Sequence, residues 1–359
     1  MKTKDEIQQK ALEAIADKKR CSVGVSMGVG KTLIGLKHMA ANYTDYSKFL
    51  VVAPKKSIFK SWEDDAVKFK LEYLLDHITF TTYISLGKQS SDYDVVYLDE
   101  CHSLLYSHEP WLSGYKNKIL GLTGTPPKVQ NSEKGEMVSQ FCPVVYKYVV
   151  DSAVDDKILN DYMIILHPVD LDKKKTLKVE RNGKVWFTSE DASYDYWTGR
   201  PENSRNAKEQ HIMRIMRMKA LMGFPSKDRE AAKLFRLIED KCILFANTHE
   251  QADKLCSHSY HSSNPNSEVN LEKFKSGEIN KLSAVLQLSE GVNIPNLKEG
   301  IILHAYGNER KSSQRIGRML RLNPEDQSTV HILYYRNTID EVWVRKALED
   351  FDKDKIIWK

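Results

Sequence analysis

A glycine-rich segment near the amino terminus has the residue types that bind nucleotide phosphates. Residues 26–32 read Ser-Met-Gly-Val-Gly-Lys-Thr. Backbone N–H groups of such a loop can cradle phosphates, while the lysine holds the β- and γ-phosphates and the hydroxyl ligates Mg²⁺. Only part of the full GxxxxGK[ST] pattern is present, because Val25 stands where that pattern has glycine. The residues assigned to this site are Gly28, Gly30, Lys31 and Thr32.

Two adjacent carboxylates, Asp99 and Glu100, follow the apolar run 95–98. Asp99 is predicted to bind Mg²⁺, partly through water, and Glu100 to accept a proton from the water that attacks the γ-phosphate. Such a pair is often only a solvated turn, but a phosphate loop about 70 residues upstream favours the catalytic interpretation. His102 has no Cys/His pair at zinc spacing elsewhere, so a zinc site is not predicted.

A second set of candidate phosphate ligands lies far along the chain. Residues 314–321 read Gln-Arg-Ile-Gly-Arg-Met-Leu-Arg. On a helix, Gln314, Arg318 and Arg321 would share one face. An arginine placed against the γ-phosphate stabilises transition-state charge, commonly by ~10³ or more in rate. Nearly 300 residues separate this segment from Lys31, so the site is complete only if two parts of the chain close on one nucleotide.

Short apolar runs that alternate with helical segments position these residues. In residues 1–150 the predicted strands are 21–25, 49–52, 78–81, 95–98 and 119–122. Runs this apolar are typical of parallel strands covered by helices on both faces. Ligands of such sheets bind at the carboxyl ends of the strands, where the candidate residues lie. The pattern therefore predicts an α/β domain over residues 1–150.

A second alternating series predicts another α/β domain over residues 151–359. Its predicted strands are 162–166, 242–245, 284–288, 300–304 and 330–335. The polar segment 170–240 has a hairpin signal at Asn182-Gly183 and a basic helix near 211–222. We interpret this segment as an insertion in the second domain. The hairpin either covers the second sheet or acts as a wedge at a strand junction, and the sequence favours the first role.

Composition narrows the class of protein. The chain has 359 residues, a net charge of +5 and 41% hydrophobic residues, enough for two domain cores and favourable to a polyanionic partner. Five cysteines without a CxxC pair predict a reduced, cytoplasmic setting and no disulfide framework. No run approaches the ~20 apolar residues of a membrane span, and no signal peptide is evident, so we predict no membrane partner.

In their order along the chain, these segments resemble helicase superfamily 2. Residues 99–102, Asp-Glu-Cys-His, resemble its DExH motif, and the likeness covers nearly the whole chain except residues 170–240. It implies an α/β fold of two tandem RecA-like domains with mainly parallel sheets and an ATP cleft between them. Residues 122–126 are similar to motif III in the TGTP form of DNA translocases. Thr123 and Thr125 would then couple the acids to the γ-phosphate state.

The resemblance also implies roles at other positions. Gln8 resembles the upstream glutamine, which pairs with adenine. Residues 288–295 resemble motif V, in which Gly291 allows close backbone approach and Asn293 bonds to the ribose. Residues 314–321 resemble motif VI, with Arg318 and Arg321 as arginine fingers. Segments 51–57, 81–85 and 243–247 resemble motifs Ia, Ib and IV. The implied nucleic-acid contacts are Pro54, Lys55, Lys56, Ser57, Thr82, Tyr83, Asn247 and Ser289.

The function implied by the resemblance is an ATP-dependent DNA helicase or translocase that uses ATP and Mg²⁺. We expect a monomer that moves 3′-to-5′ on single-stranded or branched DNA and that resembles helicases of phages and mobile elements. An RNA-dependent ATPase is the first alternative, and the TGTP and QRxGRxxR segments favour DNA. A non-hydrolysing nucleic-acid clamp is the second, and the joint presence of Lys31, Glu100 and Arg318 argues against it.

Overall fold

The chain folds into two compact units in the computed structural model, Met1–Asn160 and Asp161–Lys359. We call them unit 1 and unit 2. The residues that the structure describes are 1–26, 28–127, 129–159, 161–181, 183–203, 206–285, 294–304, 327–349 and 351–359. Along these residues no helix is both long and apolar enough to cross a bilayer.

A parallel sheet forms the centre of unit 1. Its described strands are β1 Arg20–Val25, β2 Phe49–Ala53, β3 Ile78–Thr82, β4 Val95–Asp99, β5 Lys118–Thr123 and β6 Val144–Tyr148. They pair in the order β3-β2-β4-β5-β1-β6, and every pairing is parallel. The helices described in this unit are α1 Lys4–Ile15, α2 Lys31–Ala41, α3 Phe59–Lys68, α4 Glu109–Gly114, α5 Glu133–Phe141 and α6 Val150–Asp155.

Burial on both faces explains why the strands of unit 1 could be predicted from apolar runs. Every residue of β2 and β4 is buried, and in β1 only the first residue is partly exposed. The five predicted strands are present, each beginning or ending within one residue of its expected position. The edge strands β3 and β6 each have a single buried residue, and only β3, which contains no charged residue, was predicted.

Unit 2 has a second parallel sheet. Its described strands are β7 Asp161–Val169, β10 Cys242–Ala246, β11 Ser259–Tyr260, β12 Lys281–Val285, β13 Glu299–Ile302, β14 Gln327–Tyr335 and β15 Ile356–Trp358. They pair in the order β11-β12-β10-β13-β14-β7-β15, all parallel. The further described helices are α7 Glu190–Asn203, α8 Ala207–Gly223, α9 Pro225–Leu237, α10 His249–Leu255, α11 Ser267–Ser276 and α12 Ile339–Ala347.

The predicted insertion, residues 170–240, divides into a peripheral part and a core part. Strands β8 Leu177–Arg181 and β9 Lys184–Thr188 form the expected antiparallel hairpin. Trp186 and Phe187 on β9 are 44% and 60% exposed. Helix α9, in contrast, buries Ala231 and Phe235 in the core of unit 2. The end of this segment is therefore a structural helix of the α/β layer.

His38 on α2 makes the stability of unit 1 dependent on pH. Its side chain is 4% exposed and hydrogen bonds through Nδ1 to the Tyr97 hydroxyl at 2.8 Å. Burial, and then the Lys118 charge, lower the pKa of His38 to about 4. Between pH 6.5 and 4, His38 is protonated in the unfolded chain but stays neutral in the folded chain. The free energy of unfolding should therefore fall by up to about 3 kcal/mol as the pH drops.

Denaturant unfolding followed from pH 7 to pH 4 measures this effect. The His38→Gln variant should lose this part of the pH dependence and keep the part that comes from other groups, such as His167, whose pKa burial also lowers to about 4. His211→Gln is the matched control, because His211 is exposed on α8. Equal pH dependence in wild type and His38→Gln would contradict the assignment to His38.

Candidate nucleotide-binding and hydrolysis site

The loop between β1 and α2 has the backbone geometry of a phosphate cradle. Gly28 and Gly30 adopt φ angles of 90° and 93°, a left-handed conformation that side-chain-bearing residues rarely tolerate. Gly30 precedes α2, and among the described residues no side chain caps this helix start. The first N–H groups of α2 therefore point toward the loop without an internal acceptor, which is the arrangement that binds anions.

Gln8 lies directly against this loop. It is 3% exposed, its amide nitrogen donates to the Val29 carbonyl oxygen at 2.7 Å, and its amide oxygen accepts from Lys37 at 2.7 Å. A Cβ atom at Gly30 would lie only 2.9 Å from Gln8 Nε2. The structure thus brings Gln8 to the phosphate loop, where its amide supports the loop backbone.

Lys31 and Glu100 form an ion pair between the phosphate loop and the end of β4. Glu100 adopts φ 48° and ψ 53°, a left-handed backbone that costs a non-glycine residue about 1–3 kcal/mol. This turn sends the two adjacent acids to different partners. Asp99 accepts from the Trp62 indole N–H at 3.0 Å and from the Glu100 N–H at 2.9 Å, while Glu100 faces Lys31.

The two carboxylates have opposite pKa shifts. Burial, and then the charge of Glu100, raise the pKa of Asp99 to about 6, although Lys31 and the Trp62 N–H offset part of this rise. Burial also opposes ionisation of Glu100, but the Lys31 and His102 charges and its hydrogen bonds outweigh it, so the pKa of Glu100 is lowered. Neighbouring acids whose pKa values are pushed apart are suited to separate chemical roles.

Thr123 at the end of β5 joins the acids to the next loop. Its Oγ1 lies 2.8 Å from His102 Nδ1 and 3.5 Å from Glu100 Oε2, and it accepts from the Thr125 N–H at 3.1 Å. The Thr125 hydroxyl is buried and has no hydrogen-bond partner among the described residues. The structure therefore places both threonines of the predicted coupling segment at the acids, with one hydroxyl left for a further partner.

The oxygen donors at this edge of the sheet fit Mg²⁺. Thr32 is the second residue of α2, and Asp99 is a buried carboxylate at the end of β4. Hydroxyl and carboxylate oxygens are hard ligands of the kind that Mg²⁺ prefers. Because burial disfavours the ionised form of Asp99, a divalent cation there would restore that form.

The predicted nucleic-acid contacts of unit 1 follow β2 and β3. Lys55, Lys56 and Ser57 are exposed on the turn after β2, beside the partly buried Pro54. Thr82 ends β3, the neighbour of β2, and is partly buried. Tyr83 differs from the expectation of an exposed contact, because it is 5% exposed and its hydroxyl donates to the Asp99 carbonyl oxygen at 2.9 Å.

In unit 2 the predicted segment 243–247 lies on β10 and the turn that follows it. Strands β12, β10 and β13 are adjacent in the sheet, and Asn247 follows β10. Both side-chain amide atoms of Asn247 are buried without a hydrogen-bond partner within the described ranges. The other predicted residues of this unit lie outside the described residues and are Ser289, Gly291, Asn293, Gln314, Arg318 and Arg321.

Two residues at the acids were not assigned these contacts from the sequence. His102 was considered as a zinc ligand and as the last residue of the DExH-like segment, with no contact assigned to it, and it contacts Thr123 and Glu100. Trp62 gave no functional signal and contacts Asp99. A lone histidine beside an acidic pair, or a lone tryptophan on an otherwise charged helix, indicates burial but does not reveal which polar atom is the partner.

Comparison with known proteins supports the resemblance in both units. Residues 2–128 match the family described as type III restriction enzyme, res subunit, and residues 227–323 match the helicase conserved C-terminal domain. The two matches together cover more than half of the chain. The DNA 3′-5′ translocase XPB2 of Sulfurisphaera tokodaii is 24% identical over 376 aligned positions, which cover 91% of this chain and 80% of that protein.

Solved structures share the fold. The ATP-dependent type ISP restriction-modification enzyme LlaBIII, bound to DNA, superposes with a TM-score of 0.62 at 15% identity. That alignment covers 100% of this chain, which spans only 31% of the LlaBIII chain. The Hef helicase domain of Pyrococcus furiosus has a TM-score of 0.53 at 16% identity, covering 96% of this chain and 98% of that one. With both domain matches, the parallel-sheet units and the Lys31–Glu100 site in agreement, the chain belongs to helicase superfamily 2, whose members are ATP-hydrolysing helicases and translocases.

Proposed function

We propose that this protein is an ATP-driven DNA translocase or helicase that works in the cytoplasm. The observation that carries the proposal is the ion pair between Lys31 and Glu100, which joins a phosphate loop to a base-competent carboxylate. A structural turn would have no need for a partly buried carboxylate paired with a lysine, a left-handed Glu100 backbone and two left-handed glycines at one sheet edge. Phosphate binding uses the glycine loop and the lysine, and hydrolysis uses the carboxylate.

The ion pair also provides a way for ATP to activate the base. The Lys31 ammonium is the principal charge that lowers the pKa of Glu100. When the β- and γ-phosphates enter the loop, they compete for the same ammonium. Glu100 then loses its counter-ion and becomes a stronger acceptor for the proton of the attacking water. Before ATP binds, the Lys31 ammonium balances the negative charge of the Glu100 carboxylate.

Other residues complete the proposed site. Thr32 and Asp99 would hold Mg²⁺, partly through water, and the ion would neutralise charge on the phosphates. Gln8 would turn its amide from the Val29 carbonyl to the adenine edge, and Asn293 would reach the ribose. Arg318 and Arg321, with Gln314 on the same helical face, would supply positive charge at the γ-phosphate. Gly291 would let the backbone approach the nucleotide closely.

Movement along DNA would come from alternating grips. The exposed residues 55–57 and Thr82 would hold backbone phosphates on unit 1, and Asn247 and Ser289 would hold them on unit 2. The two amide atoms of Asn247 have no hydrogen-bond partner among the described residues, which supports a contact with a backbone phosphate. Closure of the units on ATP, and release after hydrolysis, would shift one grip relative to the other along a strand.

DNA is proposed as the polymer along which the protein moves, because proteins similar to this chain are named for action on DNA or were solved with DNA bound. The curated relative is named a DNA 3′-5′ translocase, and the LlaBIII structure was solved with DNA bound. By this likeness we propose 3′-to-5′ movement by a monomer on single-stranded or branched DNA. The net charge of +5 is compatible with a polyanion that is held through phosphate contacts rather than base readout.

The test is an ATPase and unwinding panel with single-stranded DNA, forks, four-way junctions, duplex DNA and RNA. We expect ATP hydrolysis to be stimulated by DNA, more by single-stranded or branched forms than by RNA. The stimulation should weaken steeply as salt rises, because phosphate contacts release counter-ions. Stimulation by RNA alone, or equal ATPase rates with and without any nucleic acid, would overturn the proposed track.

A further inference from the structure

Trp62 is fully buried and contacts a catalytic acid. Its indole N–H donates to Asp99 Oδ2 at 3.0 Å, and the other carboxylate oxygen of Asp99 accepts from the Glu100 N–H at 2.9 Å. Each oxygen of Asp99 therefore has one fixed donor. Together these two bonds set the plane of the carboxylate, because rotation about its Cβ–Cγ bond would break both.

The ring of Trp62 packs on the helix that follows the phosphate loop. A Cβ atom at Gly35 of α2 would lie 2.6 Å from Cη2 and 3.0 Å from Cζ3 of the indole. The absence of a side chain at Gly35 thus makes room for the ring. The indole also meets the Tyr97 ring of β4 edge-on, with centroids 6.2 Å apart. One side chain therefore contacts both α2 and β4.

The helix that carries Trp62 begins immediately after the exposed turn at residues 55–57. Lys56–Ile58 forms a single 3₁₀ turn, and α3 follows from Phe59. Trp62 therefore lies in the first turn of α3, five residues after Ser57, the last of the residues proposed to grip DNA. A shift of α3 on DNA binding would move the indole N–H relative to Asp99, since a packed side chain moves with its helix.

We propose that Trp62 is a positioning residue that orients the Asp99 carboxylate and transmits DNA contact at residues 55–57 to the hydrolysis site. This inference rests on the proposed function. A purely structural tryptophan also needs an acceptor for its N–H, but a backbone carbonyl oxygen suffices, as it does for Trp111. Here the N–H donates to the carboxylate of Asp99, which is itself predicted to bind Mg²⁺. Hydrogen-bond donors of this kind set the orientation of metal-binding carboxylates.

The Trp62→Phe variant separates the two roles, because it keeps a buried aromatic ring and removes the N–H. We expect the Mg²⁺ concentration for half-maximal ATPase activity to rise by about tenfold, in the range seen when outer-shell partners are lost. Stimulation of kcat by DNA should fall, while ATP binding measured without Mg²⁺ stays near wild type. Trp111→Phe is the matched control, because Trp111 also donates its indole N–H, to the Gln89 carbonyl oxygen at 2.9 Å, away from the acids.

If Trp62→Phe does not fold, β-(3-benzothienyl)alanine at position 62 keeps the bicyclic ring and lacks only the N–H. Unchanged Mg²⁺ dependence and unchanged DNA stimulation in either folded variant would overturn the inference and leave the proposed function intact. A wild-type enzyme that does not respond to DNA would instead overturn the proposed function and the coupling role of Trp62. In that case the Mg²⁺ dependence still decides whether Trp62 orients Asp99.

Discussion

Replacing Glu100 with glutamine should leave ATP binding intact and lower the rate of hydrolysis by about 10²–10⁴, the usual contribution of a positioned base. Glutamine has nearly the same shape, so its oxygen can still accept from Lys31, but it cannot take a proton from water. The Lys31 ammonium is also less tightly held by a neutral amide than by a carboxylate. We therefore expect nucleotide affinity to stay level or rise.

Single-turnover hydrolysis and binding of a fluorescent ATP analogue measure the two effects separately. Glu63→Gln is the control, because Glu63 is exposed on α3 and the same chemical change there should alter neither quantity. Turnover by Glu100→Gln within twofold of wild type would remove Glu100 from the mechanism.

The sequence predicted the strands of the two sheets best where burial is continuous. The runs at β2 and β4 are apolar except for Asp99 at the end of β4, because helices cover both faces of the sheet. Strand β12 was predicted to begin at residue 284, three residues after its first residue Lys281, and the predicted residues 286–288 lie outside the described residues. The polar residues Lys281 and Ser283 interrupt the apolar pattern from which a strand would be predicted. Both make hydrogen bonds within the fold: Lys281 donates to the Phe235 carbonyl oxygen, and Ser283 donates to the Ala252 carbonyl oxygen at 2.8 Å.

The candidate site was predictable where its residues belong to a short glycine-rich or acidic segment. It was less predictable where a residue takes part only through tertiary contacts. A Gly-x-Gly-Lys-Thr segment and two acids after an apolar run indicate Lys31, Asp99 and Glu100 directly. The contacts of Trp62 and Tyr83 with Asp99 join residues 37 and 16 positions apart. Sequence separations this long are not set by the repeat of a single helix or strand. The two contacts follow only from the packing of α3, and of the turn after β3, against β4.

Replacing Arg318 or Arg321 with alanine is expected to lower kcat by about 10³ or more, because the transition state would lose a charge at the γ-phosphate. ATP binding should weaken far less, since the phosphate loop, Lys31 and Gln8 lie within unit 1. Arg236→Ala is a suitable control, because Arg236 is exposed on α9 of the same unit as the two arginines.

The central proposal is that one ATP is hydrolysed with residues from both units. Its most direct test is single-turnover hydrolysis of prebound ATP by the full chain carrying Arg318→Ala and Arg321→Ala together. The account predicts that ATP remains bound, Glu100 remains in place and hydrolysis is nearly abolished. Hydrolysis at the wild-type rate in that double variant would show that unit 1 holds a complete site, and it would contradict the account.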